Sequence, residues 1–509
     1  MGLFNNLNMK IMIKKFGTVY GIIGIFIAIL IAVSCKKNET AAPQLTLSNI
    51  TDTIPSNGGT LALKFTSNAA WTVDTAGIRW LHLSQTSGGN GTATINLTGL
   101  ANTSGASRSV LLVLNSTNGQ SRRITVLQDA NIYPSYNTSP AAPDATGMSS
   151  TAMQLTSNIT MGYNIYNTME APNGETAWGN PVITQQLIDL IKQSGMNAVR
   201  IPIQYDNSHL INRATAQIDP AWLARVKQVV QYCFNDHLYV MVNIHYDDGW
   251  LDCTATGAKQ DSINAKQKAF WEQIATTLRD FDEHLMFASG NEPNATDVPT
   301  TNTLMRYHQT FINAVRSTGG KNSYRSLIIQ APSTSLDLAN QYLKPGNVYK
   351  VVQLPTDKVS NKMIIEFHYY TPPNFCILSA DASWGKEAYF WGANFHTTNP
   401  LFVDRNSTYN EERYVDSIFK TAKTNFISKG IPMIMGEYGT AYHADKLKGY
   451  SADSLLSVNS QMHFYSYVTK QAKANGVLPF IWASDAFNRS DNTVGNQRTL
   501  DSLKKGAGL

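Results

Sequence analysis

The 509-residue chain has only four cysteines. Cys35 closes an N-terminal apolar run, and Cys233, Cys253 and Cys376 are too scattered for a disulfide framework or a zinc site. Blocks of positive charge are missing as well, since no run of Lys or Arg exceeds two residues. Residues 1–34 hold three of the 41 Lys and Arg and none of the 36 Asp and Glu, leaving 38 basic against 36 acidic residues. That balance argues against nucleic acid and suits a neutral substrate. No Gly-rich phosphate loop follows an early strand, as a doubly wound sheet would be expected to have. The early His-x-His of metal-dependent barrel hydrolases is also lacking, and HYDD at 245–248 does not replace it. No metal and no cofactor is expected.

What is present is apolar and aromatic. A hydrophobic content of 43% with 10% aromatics supports sizeable cores and excludes a disordered chain, and the length suggests two or three domains. The nine Trp and 23 Tyr fill cores, and the same side chains line sugar-binding clefts.

Lys10, Lys14 and Lys15 precede the apolar run Phe16–Ser34, the pattern of an export signal. The run ends in Ala32-Val33-Ser34-Cys35, which resembles a bacterial lipobox with Cys35 as the lipidated first mature residue. The alternative is an uncleaved transmembrane anchor, because the run is about long enough to span. The expectation is a signal peptide at 1–34, a tether at 35–44, and an exported lipoprotein of the outer membrane or cell surface, touching membrane only through its lipid. A monomer is expected.

Residues 45–130 read as seven alternating strands: LTLSNI, TLALKFTS, AAWTVD, RWLHLS, TATINLT, SVLLVLN and RRITVLQ. Turn signals stand at 56–59, 87–91 and 117–119, which together describe a small immunoglobulin-like sandwich. With Trp71, Trp80 and the closing ITVLQ it resembles the BACON modules, either a glycan binder or a spacer, with both tryptophans read as core. Residues 131–152, rich in Pro, Ser, Ala and Thr, read as a linker.

From 153 to 509 strands alternate with helices. Eight strand candidates appear at 161–167, 197–203, 239–246, 285–291, 326–332, 363–370, 432–439 and 478–484. Between the second and third lies DPAWLARVKQVVQYCF, with Asp219 as N-cap, Pro220 at the first helical position and an apolar face. Eight such units predict a (β/α)8 TIM barrel with long loops. Chemistry in such barrels gathers at the strand C-termini. Those positions hold Asn164, Arg200, His245, Asn291-Glu292, His368 with Tyr370, Glu437 and Trp482. Glu292 alone could cap the next helix. Strands four and seven face each other across the mouth, however, and two carboxylates on one substrate are the minimal machinery for cleaving a glycosidic bond.

The motifs NAVRIP, NIHYDDGW, GNEP, FHYYTP and GEYG with Trp482 resemble glycoside hydrolase family 5, over nearly the whole barrel. NTMEAPNGETAWGNP at 167–181 resembles its subfamily 4, whose members act on β-1,4-glucans, xyloglucan among them. The resemblance implies Glu292 as general acid/base, kept protonated beside negative Glu437, and Glu437 as nucleophile, held ionised by Arg200. It implies carboxyl groups about 5–5.5 Å apart. Asn291 would bind the 2-hydroxyl, with His245, His368 and Tyr370 around it and Trp482 as the sugar floor. Two departures stand out. His245-Tyr246 replaces a His-His pair, and Trp-Ala-Ser-Asp at 482–485 replaces Trp-Asp-Asn. In the long loop 371–410, Trp384 and Trp391 are candidates to stack on glucosyl units, with Trp178 and Trp250 on the other side. The reading is an endo-β-1,4-glucanase with a polysaccharide substrate, xyloglucan favoured. Mannan, mixed-linkage glucan, or a glycan-binding lipoprotein without catalysis are the alternatives.

Overall fold

The computed structural model describes residues 42–75, 78–345 and 352–509. The export signal, Cys35 and most of the tether lie outside the described residues. The chain divides into two compact units, one built mainly from the N-terminal strands and one holding the barrel.

The N-terminal strands form two mainly antiparallel sheets, in the second of which Thr51–Ile54 runs parallel to Ser121–Gln128. One has the order Leu45–Leu47, Gly59–Ser67, Gly91–Gly99, Leu81–Leu83, and the other Thr51–Ile54, Ser121–Gln128, Arg108–Ser116, Trp71–Asp74, Ser87–Gly88. All seven expected strands are present. Two short ones, Thr51–Ile54 and Ser87–Gly88, are additional; the first is mostly polar and the second falls in the turn signal at 87–91. Alternate residues such as Leu112, Leu114, Ile124 and Val126 are fully buried, the period of two expected of half-buried strands. Phe65 of one sheet meets Trp71 of the other edge-on at 4.8 Å, so Trp71 is core. Gly88 is needed there because a Cβ would lie 2.5 Å from the Trp71 ring.

Residues 131–152 are pinned along the barrel. Glu272 accepts from the Ser135 hydroxyl and from the Tyr136 amide at 2.7 Å, and Ala141–Pro143 pairs with Gly319–Gly320.

The barrel closes through eight parallel strands: β1 Gly162–Asn164, β2 Ala198–Ile201, β3 Tyr239–Asn243, β4 Leu285–Ala288, β5 Leu327–Gln330, β6 Met363–Tyr369, β7 Met433–Tyr438 and β8 Val477–Ile481. Seven fall within their expected segments, and β8 begins one residue ahead of its own. The helix after β2 runs Pro220–Asn235, with the Asp219 carboxylate accepting from the Ala221 amide and Trp222, Val226, Val229, Val230 and Cys233 buried.

Alternation along the strands builds the interior in layers. The lower layer is apolar, formed by Ala198, Met241, Ile328, Ile364, Ile434 and Phe480 with Leu155 and Ile159 from the segment preceding β1. Two residues further along the same strands come Arg200, Asn243, Gln330, Glu366, Gly436 and Trp482. On most of these strands one face therefore carries an apolar residue below and a polar or aromatic one at the mouth.

Candidate active site

Arg200 is the keystone of the polar layer. Fully buried, it donates from Nη1 to Glu437 Oε1 at 2.8 Å and to Asn164 Oδ1 at 3.0 Å, and from Nη2 to Asn291 Oδ1 at 2.7 Å. Asn164 is fixed in turn by donating to the Gly436 carbonyl at 2.9 Å. On its other side Arg200 Nε forms an ion pair with Glu366 Oε1 at 3.1 Å. A guanidinium this deep must have its charge matched, and the carboxylates of Glu437 and Glu366 do so, while the amide oxygens of Asn164 and Asn291 accept from its Nη atoms.

Glu437 is nearly buried. Its second oxygen accepts the Tyr370 hydroxyl at 2.9 Å, and burial drives the Tyr370 phenol well above its ordinary range, so it remains a donor. Glu292 ends the run after β4 with its side chain about half open to the cleft. It caps nothing, since Asp297 caps the following helix, Val298–Ser317.

His368 stands between the two glutamates. Its Nδ1 lies 2.7 Å from Glu292 Oε1 and 3.6 Å from Glu437 Oε2, and its Nε2 lies 3.4 Å from Glu366 Oε1. Burial alone would lower its pKa, but the charges of Glu437, Glu292 and Glu366 overcome that and raise it to about 9. Oxygens of Glu292 and Glu437 and a nitrogen of His368 all lie within 4.8 Å of one another. An imidazolium in that triangle is a hydrogen-bond donor with no lone pair to offer a metal.

His245 lies parallel to Trp482, ring centroids 5.5 Å apart, and is held neutral by its enclosure and by the charges of Arg200 and His368. Trp482 is half-buried at the end of β8, its amide donating to the Tyr438 carbonyl.

Three recesses meet at Glu292. One of about 500 Å³ runs past Glu437, Tyr370, His245, Tyr246 and Trp482, and another of about 120 Å³ past Trp250, Leu251 and Asn294. A third, about 190 Å³, is lined by Ser333, Ser335, Asp337 and Tyr414. The structure thus brings together Arg200, His245, Asn291, Glu292, His368, Tyr370, Glu437 and Trp482, with Trp250 at the edge. Trp250 donates its indole N–H to buried Asp247 at 2.9 Å and packs under Lys266.

The expectation that Trp391 stacks on sugar is corrected. It is completely buried, edge-on to Phe464 at 5.0 Å, with its indole N–H on the Asn410 carbonyl. Trp178 and Trp384 are exposed but line none of the three recesses. Asp485 accepts from Asn496 and Thr499, a local structural role. A second correction concerns Glu292. Partial burial opposes its ionisation, yet hydrogen bonding and charge from His368 outweigh that and lower its pKa, so Glu437 does not keep it protonated.

Glu366 is the residue missed in the sequence. It is fully buried in β6, two residues before His368 on the same face, and also accepts from Gln330 Nε2 at 2.7 Å. A lone carboxylate inside the apolar run MIIEF is the signal that could have found it.

Residues 161–488 match the cellulase family, glycosyl hydrolase family 5. The chain belongs to glycosyl hydrolase family 5. It is a glycoside hydrolase of endoglucanase type, and residues 44–131 match the viral BACON domain. The chain is 29% identical to a xyloglucan-specific endo-β-1,4-glucanase of Bacteroides ovatus over 95% of its own length and 96% of that protein. It is 31% identical to endoglucanase A of Paenibacillus barcinonensis over 74% of its length and 94% of that protein. Among solved structures, a Bacteroides ovatus family 5 xyloglucanase with a bound XXXG heptasaccharide superposes with a TM-score of 0.71 at 29% identity, covering 92% of this chain and all of that one. A xyloglucan-specific β-1,4-glucanase from a ruminal metagenomic library gives 0.63 at 34% identity, covering 70% of this chain and 96% of that one.

Proposed function

We propose that this family 5 enzyme is a retaining endo-β-1,4-glucanase with xyloglucan as its preferred polymer. The observation that carries the mechanism is the closeness of Glu292 and Glu437, whose oxygens approach within 4.8 Å. Double displacement calls for carboxyl groups about 5–5.5 Å apart, whereas inversion needs about 6.5–9.5 Å to admit a water.

Glu437, held by Arg200 and Tyr370, attacks the anomeric carbon while Glu292 protonates the departing oxygen. Water then displaces Glu437, with Glu292 taking its proton. Asn291 has its oxygen on Arg200, which leaves its NH2 for the 2-hydroxyl. Trp482 and His245 form a flat wall beside the ring.

Xyloglucan is favoured because the Bacteroides ovatus relative, aligned over almost the whole chain including the β-sandwich, is described as xyloglucan-specific. Export and lipidation at Cys35 complete the proposal, supported by the lysines, apolar run and small residues before that cysteine. No described helix is long and apolar enough to cross a membrane. Replacing Cys35 with Ala should move the protein from the membrane to the soluble fraction.

The functional test is a panel of xyloglucan, mixed-linkage glucan, cellulose derivatives and mannan with product sizes read out. Highest kcat/KM on xyloglucan with release of oligosaccharides is expected. Preference for mannan, or monosaccharide as the first product, would overturn the proposal. Glu437→Gln should abolish turnover while oligosaccharide still binds.

A further inference from the structure

Glu366 touches no cleft surface, yet it contacts the two cations on which the proposed chemistry depends. Its Oε1 faces Arg200 Nε at 3.1 Å and His368 Nε2 at 3.4 Å, and its Oε2 accepts from Gln330 at 2.7 Å. The barrel is shaped around this carboxylate. A Cβ at position 436 would lie 1.9 Å from Oε1, and β7 carries glycine there and shifts its register against β6 at the same point.

The geometry constrains the state of His368. A neutral imidazole has one donor and one acceptor nitrogen. Here Nε2 faces the carboxylate of Glu366, and Nδ1 faces Glu292 at 2.7 Å and Glu437 at 3.6 Å. Arg200 and Gln330 keep Glu366 an acceptor, so Nε2 carries hydrogen; Glu292 and Glu437 are acceptors when ionised, and the raised pKa of His368 accords with a second hydrogen on Nδ1. The charged and titratable groups around the ring are Glu366 on its own strand, Arg200, Glu292 and Glu437 on β2, after β4 and on β7, His245 after β3, and Tyr370. Of the three carboxylates, only Glu366 is shut away from substrate.

We propose that Glu366 is the positioning residue that places the catalytic proton, by holding His368 doubly protonated so that Nδ1 supplies the proton Glu292 delivers. This rests on the double-displacement reading above. In the first step the Nδ1 proton passes to Glu292, which gives a proton to the glycosidic oxygen as that oxygen takes the electron pair of the breaking C–O bond. Glu437 forms the new bond to the anomeric carbon, and His368 is left neutral with its Nε2–H on Glu366. In the second step water attacks the anomeric carbon, the pair of the C–O bond returns to Glu437, and the proton from water passes through Glu292 back to Nδ1. Glu292 need not be protonated at rest, which accords with its lowered pKa.

The test compares Glu366→Gln with the parent on two substrates. For β-glucan polymer, whose leaving oxygen requires a proton, kcat/KM should fall about 100-fold, within the usual contribution of acid–base catalysis. For a dinitrophenyl β-cellobioside, whose leaving group departs without one, the fall should be at least tenfold smaller, and the pH profile on polymer should shift. Equal losses on both substrates with an unshifted profile would overturn the proposal and leave Glu366 a structural residue. Should Glu366→Gln not fold, ring-nitrogen NMR of His368 in the parent decides: both nitrogens protonated at neutral pH supports it, one overturns it. A parent inactive on every β-glucan would instead sink the functional reading, and the NMR result would still stand on its own.

Discussion

Replacing Gly436 with Ala tests how tightly the buried network is built. The new methyl would stand 1.9 Å from Glu366 Oε1, 2.7 Å from Cδ and 2.9 Å from Cγ, whereas real Cβ contacts are essentially never under 3.0 Å. Glu366 must therefore retreat by about 1 Å, and on an exposed surface that would cost little. Here the carboxylate is fully buried, held at 3.1 Å by Arg200 and at 2.7 Å by Gln330, and a retreat loosens both contacts. Breaking a buried charge pair from one side costs about 3–5 kcal/mol. In a domain of this size that lowers Tm by roughly 5–10 °C, read by differential scanning calorimetry. The change should also lower kcat/KM, because Arg200 also positions Glu437 and Asn291. Gly436→Ala combined with Glu366→Ala removes the clash and should restore part of the lost stability relative to Glu366→Ala alone. A Gly436→Ala variant that melts and turns over like the parent would refute the packing argument.

Three further outcomes are expected. Trp391→Ala should destabilise the fold by about 3–5 kcal/mol as a large core truncation, while Trp384→Ala, at an exposed position, should leave Tm nearly unchanged, both read by thermal melts. Burial raises the Asp247 pKa from 3.8 to about 6, so its folding contribution is full below pH 3.8 and is lost as pH rises through 6, a change of about 3 kcal/mol that Asp247→Asn should flatten in a stability–pH series. Tyr370→Phe removes one donor to Glu437 and should lower kcat/KM by about 10–100-fold with little change in Tm, measured by steady-state kinetics.

The barrel was legible because its strands are buried on both faces and read as apolar runs, and because Arg200, His245, Glu292, His368 and Glu437 end those runs on polar groups. Glu366 was not, since a charge inside MIIEF looks like a flaw in a strand until Arg200, from 166 positions earlier, is brought against it. Trp391 misled for the opposite reason. A forty-residue connection suggests an open loop, yet this one buries Phe375, Glu387, Phe390 and Trp391 and is tied together by Arg405 on Asp381 and His443 on Glu387. The two extra sandwich strands are too short and polar to show a period. The protonation of Glu292 depends on a distance to His368 that no spacing in the sequence encodes.

If Glu437 attacks the sugar directly while Glu292 manages the proton, hydrolysis retains the anomeric configuration. Proton NMR of the anomeric signals during the first minutes of xyloglucan oligosaccharide hydrolysis tests it most directly. The β-anomer should appear first, with α arising only by mutarotation; α-anomer as the initial product would rule out direct attack by Glu437.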